Sequence, residues 1–177
     1  QLSRGLGDVY KRQVMGWFYN TARGQTYFDI ASSASPRFFV ANMYNSDTWW
    51  FYMNTGSGGQ SWNADSGVEL KSYWQFIAVK RVGTTFSYSF NGKDFVSQTA
   101  NAWGGSISGG SPFITLGQNY THSSQAATGQ MALWRFSHSD ISINQVKKIY
   151  FDERKLFAEN AKCTLHGTSD AVKGLAY

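Results

Sequence analysis

The stretch from Trp74 to Gly92, WQFIAVKRVGTTFSYSFNG, constrains the fold of this chain more than any other. Within it, Phe86, Tyr88 and Phe90 alternate with small polar residues, which is the period-two pattern of a half-buried β-strand. Asn91-Gly92 follows directly. Asn-Gly after a strand-like run predicts a type I′ hairpin turn, because both central residues of that turn need positive φ.

Further strand candidates occur at short spacing along the chain. The run Trp74–Arg81 is apolar on both faces, which predicts a central strand covered on both sides. The other candidates are Val14–Tyr19, Gln25–Ile30, Arg37–Met43, Trp49–Asn54, Phe113–Leu116 and Gln130–Phe136, with Ser-, Gly- and Asn-rich segments between them. This succession predicts an all-β, antiparallel jelly-roll sandwich and argues against a parallel α/β sheet.

One C-terminal α-helix is predicted after the strands. Ser142 is a suitable N-cap, and Gln145 three residues later completes a capping box. The apolar positions that follow at helical spacing are Val146, Ile149, Tyr150, Leu156 and Phe157. We expect the first three to dock on the edge of the sandwich. The last two lie beyond the expected dock and fit packing and exposure equally well.

The composition fits a folded β domain. Aromatic residues make up 17% of the 177 residues and charged residues only 15%, which excludes an intrinsically disordered chain. No apolar run approaches the ~20 residues of a membrane-spanning helix, so no membrane partner is expected. Cys163 is the only cysteine, and an internal disulfide is therefore impossible.

The net charge of +5 does not indicate a nucleic-acid partner. Much of it comes from basic residues of the C-terminal helix region, such as Lys147 and Lys148. Asp152, Glu153 and Glu159 are interleaved with these bases. Alternating charges of this kind are typical of a solvated helix face.

The N-terminal segment has an unusual sequence. Asp8–Gln13, DVYKRQ, reads as the translation of a transposon mosaic end used in preparing sequencing libraries. We therefore expect residues 1–13 to be an adapter-derived, non-native segment, and the native domain to begin at Val14. On this view Asp8–Gln13 should form no consistent strand. On this interpretation the chain is a metagenomic fragment.

Six short motifs occur in a characteristic order. They are Val14–Phe18, Trp74–Val79, Phe90–Gly92, Thr115–Gly117, Gly129–Phe136 and Ser142–Tyr150. In this order they resemble the laminin-G-like domains of the concanavalin A-like lectin/glucanase superfamily. The resemblance covers residues 14–150 and implies a jelly-roll domain, of a kind used more often for binding than for chemistry.

Residues 151–177 form a different segment, which we expect to contain the helix end, a linker and the start of a missing domain. The sequence from Glu153 to Val172 resembles linkers in large structural proteins of marine phages. This second resemblance implies a virion, extracellular or cell-surface location. It also implies that neighbouring domains of the same chain are partners.

No catalytic residues are predicted. Glucanases of the superfamily place paired carboxylates on one strand with the pattern E-x-D-x-E. Here the only glutamates are Glu69, Glu153 and Glu159, and no such pattern occurs. The three histidines lie in predicted loops or in the tail and suggest no nucleophile–base pair. We expect a non-enzyme, with a degenerate glycoside hydrolase as the remote alternative.

Carbohydrate binding requires exposed aromatic rings beside amide or carboxylate groups. The candidate binding residues are Tyr44, Asn45, Asp47, Trp49, Trp62, Trp103, Asn119 and Tyr120. In a strand Trp49 and Trp50 point to opposite faces, so at most one of them belongs to the core. Trp62 and Trp103 are expected to be exposed in loops. Strand position instead assigns Trp17, Trp74 and Trp134 to the core.

A calcium ion is a possible cofactor, and no other cofactor is expected. Members of the family often hold calcium with Asp, Asn and backbone oxygens, and Asn45-Asp47 or Asn63-Asp65 offer those types. Surface Asn and Asp turns are the commoner explanation of the same residues. The sequence as a whole predicts a non-catalytic carbohydrate-binding or adhesion module of a larger structural protein, such as a phage tail fibre or cell-surface protein. The alternative is a structural spacer without a ligand.

Overall fold

The computed structural model describes residues 11–31, 37–42, 48–54, 59–64, 73–104, 113–119 and 125–158. They form two five-stranded antiparallel sheets, with one α-helix against the outside of the first. The predicted all-β jelly-roll sandwich with a C-terminal helix is confirmed.

The ten strands of the described residues run in chain order as β1 Lys11–Tyr19, β2 Thr26–Ala31, β3 Arg37–Asn42, β4 Trp49–Asn54, β5 Gly59–Ala64, β6 Trp74–Val82, β7 Thr85–Phe90, β8 Val96–Thr99, β9 Phe113–Leu116 and β10 Gln130–Ser137. The first sheet has the order β10-β1-β6-β7-β8, and the second has the order β5-β4-β3-β2-β9. The helix α1, Ile143–Glu153, is followed by a 3₁₀ turn at Arg154–Phe157.

The strand β5 was not predicted. Its sequence, GQSWNA, carries a single large apolar residue. It is the edge strand of the second sheet and pairs with β4 over its whole length. An edge strand with one face in water needs few apolar residues, so its hydrophobic pattern is weak.

The main core lies between the two sheets and is built from aromatic rings. The ring of Trp49 lies 5.2 Å from Phe18 and 4.5 Å from Phe90, and Phe51 stacks on Tyr88 at 4.9 Å. All five side chains are buried. Because each buried side chain of this size contributes about 1.5–3 kcal/mol, this aromatic layer is a large source of stability.

Two of the tryptophans assigned to the core from strand position are only partly buried. Trp134 packs against the main core, and its ring atoms come within 2.5 Å of where a Cβ on Gly16 would lie. Glycine at position 16 therefore makes room for this ring. Trp74 packs at the margin of an apolar cluster on the outer face of the first sheet, and Trp17 is buried inside that cluster.

A second apolar cluster lies on the outer face of the first sheet. It consists of Met15, Trp17, Phe76, Ala78, Ile141 and Val146. The helix thus docks on the face of the sheet, and the expectation that it docks on the sandwich edge is wrong. The reason is the two-sided apolar pattern of β1 and β6, which supplies a hydrophobic outer surface for the helix to cover.

The predicted capping box of α1 is confirmed. The Gln145 backbone N–H donates to Ser142 Oγ at 3.3 Å, and the Ser142 backbone N–H donates to Gln145 Oε1 at 3.0 Å. Past the helix, Phe157 stacks on Trp17 at 4.4 Å, whereas Leu156 is 67% exposed. The two residues that the sequence left open therefore have opposite environments.

The predicted Asn-Gly turn is also confirmed. Asn91 and Gly92 have φ of 50° and 71°. The Asn91 Oδ1 accepts a hydrogen bond from the Phe76 backbone N–H at 2.8 Å, which ties the turn to β6. A Cβ on Gly92 would lie 2.7 Å from the ring of Tyr150. The turn therefore requires glycine both for its backbone conformation and for the passage of the helix.

The strand β1 begins earlier than the sequence indicated. Lys11, Arg12 and Gln13 pair with Lys80–Val82 of β6, so the expectation that Asp8–Gln13 forms no strand is wrong for these three residues. The register of β1 with β6 simply continues through them. This pairing concerns their structure and not their origin, which stays a prediction together with the proposed adapter sequence. Residues 1–10 and 159–177 lie outside the described residues.

Within the described ranges, no helix is long and apolar enough to cross a membrane.

Candidate functional site

The residues predicted to bind a ligand do not come together at one surface. Trp49, Trp103 and Asn119 are buried, and Trp62 is partly buried against the main core. Tyr44, Asn45, Asp47 and Tyr120 lie outside the described residues and stay predictions.

Trp49 cannot present a ring face to a ligand. It has no exposed surface and packs between Tyr27, at 5.0 Å, and Phe90. The expectation that it binds carbohydrate is wrong. Burial alternates along β4, so Trp49, Phe51 and Met53 all face the core.

Trp103 is also wrongly expected to be exposed. It lies in the 3₁₀ turn Asn101–Gly104 and has no exposed surface. Its ring stacks on Phe86 at 4.9 Å, and its Nε1 donates a hydrogen bond to Gln98 Oε1 at 3.1 Å. A residue in a Gly-rich stretch thus folds back into the sandwich, because the end of the core offers a large apolar surface and an acceptor for the indole N–H.

Trp62 belongs to β5 and not to a loop. It lies opposite Phe51 in register and packs 5.0 Å from Tyr88. Its ring therefore closes the open side of the main core, and the expectation that it is an exposed loop residue is wrong.

Asn119 is part of a buried polar network on the second sheet. The Arg37 Nη2 donates to Asp29 Oδ2 at 2.6 Å and to Asn119 Oδ1 at 2.7 Å, and the Asn119 amide donates to Gln125 Oε1 at 2.9 Å. Asp29 is fully buried and Arg37 is 7% exposed at its side chain. Removing one partner of such a buried ion pair costs about 3–5 kcal/mol. Because Asn119 follows β9 and is hydrogen-bonded to Arg37 of β3, the network also ties the segment after β9 to the sheet.

The outward face of β4 and β5 carries two partly exposed aromatic residues. On β4 these are Trp50 and Tyr52, followed by Asn54, and on β5 the exposed residues are Ser61 and Asn63. We call these five residues the β4–β5 face. Register places Asn63 opposite Trp50 and Ser61 opposite Tyr52.

The two rings of the β4–β5 face are close and inclined to each other. Their centroids lie 5.8 Å apart with an interplanar angle of 62°. The Asn54 Nδ2 donates a hydrogen bond to the Tyr52 hydroxyl at 3.0 Å. Apolar ring faces thus lie beside amide and hydroxyl groups, which can both donate and accept hydrogen bonds. This combination suits a ligand with apolar C–H faces and many hydroxyl groups.

The sequence contained a signal for this face. Alternation showed that only one of Trp49 and Trp50 could be core, but left open which one. The phase of the whole strand decides it. At the odd positions, Phe51 and Met53 follow Trp49 and carry no side-chain N or O atom, whereas at the even positions Tyr52 and Asn54 follow Trp50 and carry polar groups. The face that includes Trp50 is therefore the one that can contact water.

No three His, Cys, Asp or Glu side chains gather into a possible metal site in the described part of the chain. Of the residues considered for calcium, Asn63 lies on the β4–β5 face, while Asn45, Asp47 and Asp65 lie outside the described residues. Calcium binding stays a prediction.

Several solved structures share this fold. A heptameric SAP-like pentraxin from Limulus polyphemus matches with a TM-score of 0.64 and 15% identity over 82% of this chain and 71% of the pentraxin. The CBM40 domain of a Ruminococcus gnavus IT-sialidase, bound to α2,3-sialyllactose, matches with a TM-score of 0.63 and 10% identity over 80% of this chain and 83% of that domain.

Domains LG4-5 of the mouse laminin α1 chain match with a TM-score of 0.58 and 16% identity. That match covers 75% of this chain but only 36% of the laminin segment. No protein-family model matches the sequence, and a search of curated proteins finds no match. At these identities the likeness concerns the fold alone. The chain has the concanavalin A-like jelly-roll fold found in laminin G, pentraxin and CBM40 domains.

Proposed function

We propose that this chain is a non-catalytic carbohydrate-binding domain and that the β4–β5 face is its binding surface. The observation that carries the proposal is the Trp50–Tyr52 pair, two partly exposed rings on a rigid strand with Asn and Ser side chains beside them. Sugars combine apolar C–H faces with hydroxyl groups, and this surface offers a complement to each.

The strand position of these rings also favours binding. Trp50 and Tyr52 are held by β4, whose other side is buried in the main core. A ring on such a support loses little conformational freedom when a ligand arrives, so less of the contact energy is spent on ordering. We therefore assign the main contacts with the ligand to Trp50 and Tyr52.

The comparisons support a glycan as the ligand class. The CBM40 domain with a similar fold binds sialyllactose. Tyr44, Asn45 and Asp47 precede β4 in the sequence and remain proposed contributors, as does Tyr120. Trp49, Trp103 and Asn119 are buried and are no longer proposed, and neither is Trp62, which packs against the main core.

Binding to a glycan array, followed by titration with the strongest ligand, tests the proposal. We expect Trp50→Ala to weaken binding by about thirtyfold, because loss of a central aromatic contact costs about 2 kcal/mol. The matched control is Phe151→Ala, which removes another exposed aromatic ring, 49% exposed on α1. Equal affinities for Trp50→Ala and Phe151→Ala would contradict the assignment of the face.

The same experiment separates the proposal from a spacer domain without a ligand. A folded wild-type protein that binds no glycan above background, across a broad array and soluble polysaccharides, would support the spacer. Release of reducing sugar from any bound glycan would instead contradict the non-catalytic assignment.

We further propose that the domain belongs to a larger structural protein at a virion or cell surface, such as a phage tail fibre, where neighbouring domains of the chain are its partners. The resemblance of the tail to phage linkers supports this context. Sequencing the full-length gene tests it, and flanking domains of a cytosolic enzyme would contradict it.

A further inference from the structure

The geometry of the β4–β5 face limits how a glycan can lie on it. Trp50 and Tyr52 are two residues apart on one strand and therefore point to the same side. Their planes meet at 62°, with centroids 5.8 Å apart. A sugar ring lying flat on Trp50 consequently meets Tyr52 at its edge and cannot stack on both.

The inclination of Tyr52 is fixed by its surroundings. Its hydroxyl accepts a hydrogen bond from Asn54 Nδ2 at 3.0 Å. On the opposite strand, a Cβ at Gly59 would lie only 3.1 Å from the same hydroxyl oxygen, so the glycine makes room for the hydroxyl group. Turning Tyr52 until it is coplanar with Trp50 would break this hydrogen bond, which contributes about 1 kcal/mol.

The polar groups around Trp50 also favour a single sugar. Asn63 lies directly opposite Trp50 in register, and cross-strand neighbours of this kind have Cβ atoms about 5 Å apart. Its exposed amide can donate to one hydroxyl group and accept from another. A ring stacked on Trp50 therefore has its hydroxyl groups within reach of Asn63.

Among the described residues, the charges near the β4–β5 face favour an uncharged sugar. The five residues of the β4–β5 face are all neutral. Arg37, the register partner of Asn54, donates from one nitrogen to both Asp29 and Asn119 and is 7% exposed at its side chain. Its charge is thus balanced by a buried carboxylate, which leaves it poorly placed to attract an acidic sugar.

We infer that the β4–β5 face recognises one uncharged sugar residue at a time, stacked on Trp50, with Tyr52 at its edge and Asn63 on its hydroxyl groups. A polysaccharide lying along the face would need several coplanar platforms, and among the residues that the structure describes the crossed rings supply one. This inference rests on the proposed function and specifies its ligand.

Calorimetric titration with neutral oligosaccharides of increasing length tests the inference. The probes are glucose, galactose, mannose and N-acetylglucosamine oligomers of one, two, four and six units, with lactose and α2,3-sialyllactose as a neutral and acidic pair. We expect affinity per chain to rise with length by no more than the statistical factor set by the number of units. Lactose is expected to bind at least as tightly as sialyllactose.

A variant of Asn63 and a matched control test the proposed contact between Asn63 and the sugar. Asn63→Ala is expected to weaken binding of the shortest bound oligomer about tenfold, while Asn144→Ala, which removes an exposed amide on α1, leaves it unchanged. An affinity gain well above the statistical factor between two and six units, or clear preference for sialyllactose, overturns the inference but leaves glycan binding in place. Failure of every oligosaccharide to bind the folded wild type overturns the proposed function and this inference with it.

Discussion

The indole Nε1 of Trp17 donates a hydrogen bond to Glu153 Oε2 at 2.8 Å and so joins β1 to the last residue of α1. The same carboxylate binds Arg135 of β10, whose Nη1 lies 3.3 Å from Oε2 and whose Nη2 binds Oε1. Trp17 is 2% exposed, and its ring lies 5.6 Å from Tyr150 and stacks on Phe157. One carboxylate therefore holds the helix end on two strands.

Loss of this carboxylate should destabilise the domain. We expect Glu153→Ala to lower the free energy of unfolding by about 2–3 kcal/mol, because it leaves the buried Trp17 N–H without its acceptor and Arg135 without its partner. Glu153→Gln keeps an acceptor oxygen and should cost less. Urea denaturation measures both values.

The matched control is the preceding residue. Asp152 forms an exposed i,i+4 ion pair with Lys148, in which the two side chains are 60% and 75% exposed. Such pairs contribute only about 0.3–0.5 kcal/mol, so Asp152→Ala should be nearly neutral. A similar cost for Asp152→Ala and Glu153→Ala would show that the hydrogen bond to Trp17 contributes no more to stability than an exposed ion pair.

Alanine substitutions at the adjacent residues Trp49 and Trp50 should lower the free energy of unfolding by very different amounts. Trp49→Ala opens a large cavity in the main core and is expected to cost about 3–5 kcal/mol in the free energy of unfolding. Trp50→Ala removes a partly exposed ring and should cost about 1 kcal/mol or less. Thermal and urea denaturation of both variants checks this. Comparable losses would mean that the Trp50 ring is a packing element.

The alternation of β4 also shows how much the sequence could predict. Period-two patterns correctly indicated the strands of the sandwich, the Asn-Gly dipeptide indicated the turn at Asn91-Gly92, and the spacing of Ser142 and Gln145 indicated the capping box. Each of these signals depends on residues close together in the chain. The burial of Trp103 depends instead on Phe86 and Gln98. Only the folded chain brings these contacts together, so no local pattern indicates them.

The candidate site was predicted only in part for the same reason. Exposed aromatic residues beside Asn were expected, but on β4 the residue predicted to bind was Trp49, and the outward-facing residue is Trp50. The strand β5 was missed, and with it the placement of Asn63 opposite Trp50. A polar edge strand lacks the apolar repeat by which strands are found. Its role depends on pairing with β4.

Two glycines with positive φ should respond differently to alanine. Gly83, with φ of 57°, has open space around a would-be Cβ, whereas at Gly92, with φ of 71°, that atom would lie 2.7 Å from Tyr150. We expect Gly83→Ala to cost about 1 kcal/mol from backbone strain alone. Gly92→Ala should cost at least about 1 kcal/mol more, because the helix must shift. Equal losses in urea denaturation would show that the close approach of Tyr150 is unimportant.

Leu133 occupies a strained position in β10. It has φ of 52° and is 43% exposed, at the irregularity where β10 and β1 change register. A non-glycine residue in this conformation costs about 1–2 kcal/mol, and a β-branched residue costs more. Leu133→Gly should therefore be neutral or stabilising, and Leu133→Val should destabilise. Thermal unfolding gives the order, and a more stable Val than Gly variant would contradict the strain.

The binding surface can be observed directly by following tryptophan indole N–H resonances in a two-dimensional NMR titration with the strongest glycan ligand. Trp50 faces outward, whereas Trp17, Trp49 and Trp103 are buried. We predict that the Trp50 indole and the Asn63 side-chain amide shift most on saturation, while the three buried indoles change little. Shifts concentrated at the helix or in the first sheet, with Trp50 unchanged, would contradict carbohydrate binding at the β4–β5 face.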